Sequence, residues 1–241
     1  MFSHARDGLY IVSFEGQCIC LDIIDDAYTV FSVEQSRRLL ELFEFWDRST
    51  SSPSPLDRNP SVGGRLLLKF EAFDTSDPKL FVSSKAYPGV PIDCWQLDRR
   101  QIFTGCRPKL IAHSILALHK VHEVSKAKRL SGLIDLITSE RHTKNFNSFA
   151  VCEANNLVRS LNAASLLYYK KTKCLEWACA LILVGFRFGL DMKLVIGVQN
   201  RPFYAHAWVE LGGKIIGDDP MRREQLVVIY ETVECTGSIT K

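Results

Sequence analysis

No two of the eight cysteines, Cys18, Cys20, Cys94, Cys106, Cys152, Cys174, Cys179 and Cys235, form a CxxC pair, which argues against a zinc site. The opening stretch MFSHARDGLYIVSF has no basic segment followed by an apolar one. A secretory signal is therefore not read, the expected localisation is cytoplasmic, and in that reducing compartment disulfides are not expected. Long apolar runs are also missing. The longest, LEWACALILVGFRFGL, is shorter than the roughly 20 residues of a bilayer span and carries Glu176 and Arg187, so it reads as a buried helix and no membrane insertion is expected. Long basic runs are absent and the net charge is only +3, so nothing calls for a nucleic-acid partner. There is no internal repeat and no GxxxxGK[ST] phosphate loop.

What remains is an ordinary globular composition over 241 residues, enough for one large domain or two small ones. Residues 8–33 read as three short strands, GLYIVSF, QCICLDII and YTVFS, with turns at Glu15-Gly16 and Asp25-Asp26. Cys18 and Cys20 alternate onto one strand face and read as buried, inert thiols. From Val33 the period becomes helical, with Leu39, Leu40, Leu42, Phe43 and Trp46 on one stripe and Ser32 as the cap. Arg37 and Arg38 read as part of a solvated helix face. A loop rich in Ser, Pro and Gly follows, then RLLLKFEAF as a further short helix. DTSDPKLFVSSKAYPGVPIDCW, with its scattered prolines, reads as linker. Beyond about residue 100 come the helical stretches RPKLIAHSILALHKVHEVSKA, LSGLIDLITSERH, NNLVRSLNAASLLYY and TKCLEWACALILVGFRFGL, then the strand-like runs MKLVIGVQ, FYAHAWVEL, KIIGD and QLVVIYET. The fold class expected is α+β. A small β3-plus-helices, winged-helix-like module occupies 1–75, a linker 76–104 and a larger α+β domain 105–241.

Cys174 opens the most apolar helix, with Thr172 as the expected N-cap. The helix macrodipole and Lys170, Lys171 and Lys173 around it favour thiolate. Cys179, further along the same helix, reads as a packing residue. His206 lies on a strand, sharing a face with Tyr204, Trp208 and Glu210 while Ala205 and Ala207 occupy the other; a strand holds a general base rigidly. Two aspartates follow the turn. A two-residue loop at Gly212-Gly213 pairs Leu211 with Lys214 and sets His206 opposite Asp219. A three-residue loop with Gly213 in a bulge sets it opposite Asp218. The residues alone leave both open. Cysteine, then a strand histidine, then an aspartate on the next strand is the order of a nucleophile, a base and the group that orients it.

That order, with KCLEWACALILVGF, LVIGVQNRPFYAHAWVELGGKIIGDDP and LVVIYE, resembles the transglutaminase-like cysteine peptidases, and among them the leader peptidases of lasso-peptide biosynthesis, the B proteins of microcin-type clusters. CLDIIDDAYTV resembles the opening of those proteins; residues 47–105 carry no resemblance. The family pattern implies Cys174, His206 and Asp218 as catalytic residues, and with Asp218 it implies the bulged hairpin. It also implies thioester chemistry at a leader–core junction; the Cys174 backbone N–H, by its place at the helix N-terminus, is one candidate oxyanion donor. The N-terminal module is similar to the element with which the family holds the leader, by adding it as a strand at a sheet edge. Here that edge is Tyr28, Thr29, Val30 and Phe31, with a groove against RLLLKFEAF. The partners implied are a precursor peptide and an asparagine-synthetase-like cyclase. No cofactor is expected to bind directly, and an ATP requirement associated with the family is assigned to the cyclase. Two competing readings are another acyl-transfer enzyme on the same scaffold, such as a transglutaminase or an arylamine acetyltransferase relative, and a non-catalytic peptide-binding scaffold.

Overall fold

The computed structural model describes residues 8–48, 81–82, 87–90, 107–143, 146 and 151–232. The chain divides into two compact units, Met1–Ala86 and Tyr87–Lys241.

In the first unit, β1 (Leu9–Phe14), β2 (Gln17–Asp22) and β3 (Ala27–Val30) form an antiparallel meander. Glu15 (φ 49°) and Gly16 (φ 77°) make the two-residue turn between β1 and β2, both with the positive φ that such a hairpin needs. At the next turn the Asp22 carboxylate accepts the Ile24 and Asp25 N–H groups, each at 3.0 Å. Helix α1 (Val33–Arg48) starts in a capping box: the Gln35 N–H donates to Ser32 Oγ at 3.2 Å and the Ser32 N–H to Gln35 Oε1 at 3.0 Å. Leu9, Cys18, Cys20, Phe31 and Leu39 form the buried core, so the two cysteines do share its face. Arg38 pairs with Glu34 in solvent.

The stretch expected as linker is more structured than its prolines suggest. Phe81–Val82 forms β4, parallel to β1, and completes a sheet of order β3-β2-β1-β4. Val90 lies in the core of the second unit, with Val195, Trp208 and Leu226. The Gln199 amide grips it there, accepting from the Val90 N–H at 2.7 Å and donating to the Val90 carbonyl at 3.0 Å. The division between the two units falls after Ala86, within the stretch expected as linker, most of which lies outside the described residues. RLLLKFEAF lies outside the described residues.

The second unit opens with α2 (Pro108–His142), where proline at the first turn meets no lost hydrogen bond. Arg129 (φ 52°, ψ −142°) breaks α2 into the two helical segments expected from the sequence. Next come α3 (Val151–Leu167) and α4 (Cys174–Arg187), the latter buried continuously from Trp177 to Phe186. Trp177 Nε1 donates to Asn162 Oδ1 at 2.8 Å and ties α4 to α3. The antiparallel sheet has the order β7-β6-β5-β8, made of β5 (Met192–Gln199), β6 (Tyr204–Leu211), β7 (Lys214–Ile216) and β8 (Val227–Glu231), and a single turn of helix, α5 (Arg222–Gln225), precedes β8. Among the described residues no helix is long and apolar enough to cross a membrane.

Candidate active site

Cys174 is the first residue of α4. The residue before it, Lys173, takes the N-cap position with extended φ/ψ, and its N–H donates to the Glu176 carboxylate at 3.1 Å. The cap is therefore not Thr172, whose hydroxyl is buried with no hydrogen-bond partner. Either way the thiol sits in the first turn, where the helix dipole favours an anion. Cys174 is partly exposed, whereas Cys179 is fully buried and its thiol pKa is pushed up by that burial. Only the first of the two has both access and a reason to ionise.

His206 is held in the middle of β6. The rings of Tyr204 and Trp208, its neighbours two residues away on the same strand face, stack at centroid distances of 5.8 and 6.2 Å. The imidazole Nε2 lies 2.6 Å from Asp218 Oδ2, with side-chain exposures of 0% and 5%. That bond leaves Nδ1, buried and without a full hydrogen bond, as the ring nitrogen available to the thiol. A loose nucleophile–base contact is usual before substrate binds.

The electrostatics of the three groups agree in direction. Burial opposes ionisation of Cys174, but the imidazole of His206 and the N–H groups of Ala207 and Leu175 outweigh it and bring the thiol below its ordinary value. Burial also opposes imidazolium at His206, yet Asp218 and then Cys174 raise its pKa. At Asp218 the same burial penalty is outweighed by His206, Arg222 and the Asp219 N–H, which lower the carboxyl. The arrangement favours a thiolate–imidazolium pair backed by a carboxylate.

The hairpin before Asp218 differs from the one expected. Leu211 pairs with Lys214 across a two-residue turn, with Gly212 (φ 55°) and Gly213 (φ 76°) both in the left-handed region. There is no bulge, and register alone points to Asp219. The strand does not run that far: β7 ends at Ile216, and Gly217 (φ 74°) breaks the alternation of faces before Asp218. A Cβ on Gly217 would lie 2.6 Å from the Trp177 ring, so only glycine allows the close approach to α4. Asp219 turns to its own loop, accepting from the Met221 N–H at 2.9 Å and from Gln225 Nε2 at 3.2 Å.

Further polar contacts near these groups were not read from the sequence. Arg222 Nε donates to Asp218 Oδ1 at 2.8 Å. Behind Trp208, whose Nε1 donates to Glu210 Oε1 at 2.8 Å, Arg223 Nε meets the same oxygen at 2.6 Å and Arg223 Nη2 reaches Glu231 at 2.5 Å. The i,i+4 spacing of Asp218 and Arg222 was the only signal for the first of these contacts.

The proposed leader edge divides. β3 is an edge strand of its sheet, with Tyr28 and Thr29 half-buried and Val30 exposed. Phe31 is 3% exposed, its side chain is in the core, and its N–H donates inward to the Cys18 carbonyl at 2.9 Å. It therefore offers neither side chain nor N–H to a ligand, and the edge is Tyr28–Val30. Among the described residues no group of three or more His, Cys, Asp or Glu side chains is placed to hold a metal ion.

Residues 118–231 match the family model of the transglutaminase-like superfamily, so the C-terminal part carries a transglutaminase-like domain. The chain is also similar to the microcin J25-processing protein McjB of Escherichia coli, with 35% identity over 86 residues, 34% of this chain and 41% of that protein. The match thus spans less than half of the relative's length. Both findings support the resemblance to the lasso-peptide leader peptidases of this superfamily. No solved structure matches the chain.

Proposed function

We propose that this protein is a cysteine peptidase that removes the leader from a ribosomally made lasso precursor peptide and passes the core to an asparagine-synthetase-like cyclase. The observation that carries the reading is the buried 2.6 Å bond from His206 Nε2 to Asp218 Oδ2, which orients an imidazole beside a helix-start thiol. The Cys174 thiolate attacks the carbonyl carbon of the last leader residue. The oxyanion faces the Cys174 backbone N–H at the start of α4. His206, as imidazolium, gives its proton to the leaving amine, and the core departs. The leader stays on sulfur as a thioester until a water, deprotonated by His206, hydrolyses it and restores the thiol. Asp218 holds the ring and stabilises its charged form throughout. Any ATP requirement belongs to the cyclase in this scheme, and the edge Tyr28–Val30 receives the leader as an added strand.

The test is to incubate the purified full chain with a genomically linked leader–core peptide and weigh the products. A single hydrolytic cut, lost in Cys174→Ala, is expected. Amide exchange without a cut would instead favour the transglutaminase reading, and leader binding without any reaction the scaffold reading.

A further inference from the structure

We propose that Arg222 is a positioning residue of this site: it holds the Asp218 oxygen turned away from His206, and so fixes the plane of the carboxylate and, through it, the imidazole. The inference rests on the triad reading above. A carboxylate has two oxygens and a soft terminal torsion. Oδ2 faces the ring, while Oδ1 receives Arg222 Nε at 2.8 Å and the Asp219 N–H at 2.7 Å. The ring and the Asp219 N–H each hold one oxygen; Arg222 Nε adds a second donor to Oδ1 and narrows the torsion that remains. Arg222 is itself fixed, because its Nη1 donates to Gln225 Oε1 at 3.2 Å while Gln225 Nε2 donates to Asp219 Oδ2 at 3.2 Å. His206, Asp218, Arg222, Gln225 and Asp219 thus form one connected chain of side chains. α5 has four residues, too few to be helical on propensity, so these contacts maintain it.

The pair is sheltered, with side-chain exposures of 17% for Arg222 and 5% for Asp218, unlike an ordinary surface bridge. The neighbouring Arg223 turns to Glu210 and Glu231 and does not replace it. The groups around the imidazole are the Cys174 thiol from α4, the Tyr204 and Trp208 rings from β6, Glu210 bonded behind Trp208, and Asp218 with Arg222 behind it. Glu176 on α4 is occupied by the Lys173 N–H. Arg222 and the Asp219 N–H are therefore what set the orientation of the one carboxylate bonded to the ring.

The experiment is the rate of Cys174 alkylation by iodoacetamide against pH in the full chain, for wild type, Arg222→Gln, Arg222→Lys and Asp218→Asn, with melting temperatures alongside. Arg222→Gln is expected to move the acid limb of the profile up, because a carboxylate held less firmly stabilises imidazolium less well and the thiolate then forms only at higher pH. Arg222→Lys, which restores one N–H donor to Oδ1, should recover part of that shift. With a cleaved peptide, kcat should fall by up to about 10²-fold while KM stays put, the size of loss that follows a small misplacement. An unmoved acid limb in Arg222→Gln beside a raised one in Asp218→Asn overturns this inference alone, as does a lowered melting temperature with no change in the limb. If neither variant moves the limb, the triad reading itself fails. Alkylation needs no peptide, so a raised acid limb in Arg222→Gln supports the positioning role even in a chain that cleaves nothing.

Discussion

His206 meets Asp218 at 2.6 Å, although the hairpin between them, extended in register from the Leu211–Lys214 pair, would set His206 opposite Asp219. The contact is made by a departure from the strand at Gly217, not by a bulge in the turn.

The two aspartates should therefore behave differently. Asp218→Asn is expected to lower turnover by orders of magnitude, since an amide can fix the wrong tautomer and cannot stabilise imidazolium. Asp219→Asn can keep the acceptor for the Met221 N–H and loses the contact to Gln225, the far end of the chain of side chains that holds Arg222, so turnover should stay within a few-fold and stability should fall by at most ~1 kcal/mol. Steady-state rates and melting curves of both variants check this; a dead Asp219→Asn beside an active Asp218→Asn contradicts it.

The glycines separate in the same way. Gly217→Ala forces a Cβ to 2.6 Å from Trp177 and 3.0 Å from Val158 at φ 74°, combining overpacking of ~1–3 kcal/mol with backbone strain of ~1 kcal/mol. Gly213→Ala meets nothing within 4 Å and carries only the backbone strain. Gly217→Ala should show the larger drop in melting temperature and lose activity as Asp218 shifts; equal effects at the two sites would count against the Gly217 account.

The thiolate–imidazolium pair exists above the lowered pKa of Cys174 and below the raised pKa of His206, as a coupled titration. Alkylation of Cys174 should accordingly be fast at neutral pH, with its acid limb below the range of a free thiol. A single rise near ~8.5, the ordinary thiol value, would mean that the pair does not form.

Asp218 also links stability to pH. Its folded pKa is lowered, so its contribution is complete above the ordinary carboxylate value of ~3.9 and is lost as pH falls through the folded value. The melting-temperature gap between wild type and Asp218→Asn should therefore shrink on acidification. A gap that widens in acid has the wrong sign.

The elements were legible where one period ran unbroken. The strands around Cys18 and Cys20, the capped helix from Val33 and the apolar helix after Cys174 each carry a local signal that tertiary packing does not override. The hairpin register failed because it assumed that β7 continues to the aspartates, and what ends that strand is the closeness of Trp177, on a helix some forty residues earlier. Val90 and the short β4 were missed for a similar reason: their places come from the Gln199 side chain and from the edge of β1, not from any pattern of their own. Thr172 was preferred as a cap by residue type, yet the Lys173 backbone and Glu176 supply the cap between them. Cys174 and His206 were readable from the chemistry around each; Asp218 needed the family pattern, and Arg222 needed the three-dimensional structure.

The most direct measurement is to stop the reaction of the full chain with a leader–core peptide in acid and locate the covalent adduct by mass spectrometry. The account requires the leader acyl group on the Cys174 thiol, a mass equal to the leader less one water, with free core in solution and no adduct or product from Cys174→Ala. Cleavage that persists in Cys174→Ala, or an acyl group found on another residue, would contradict it.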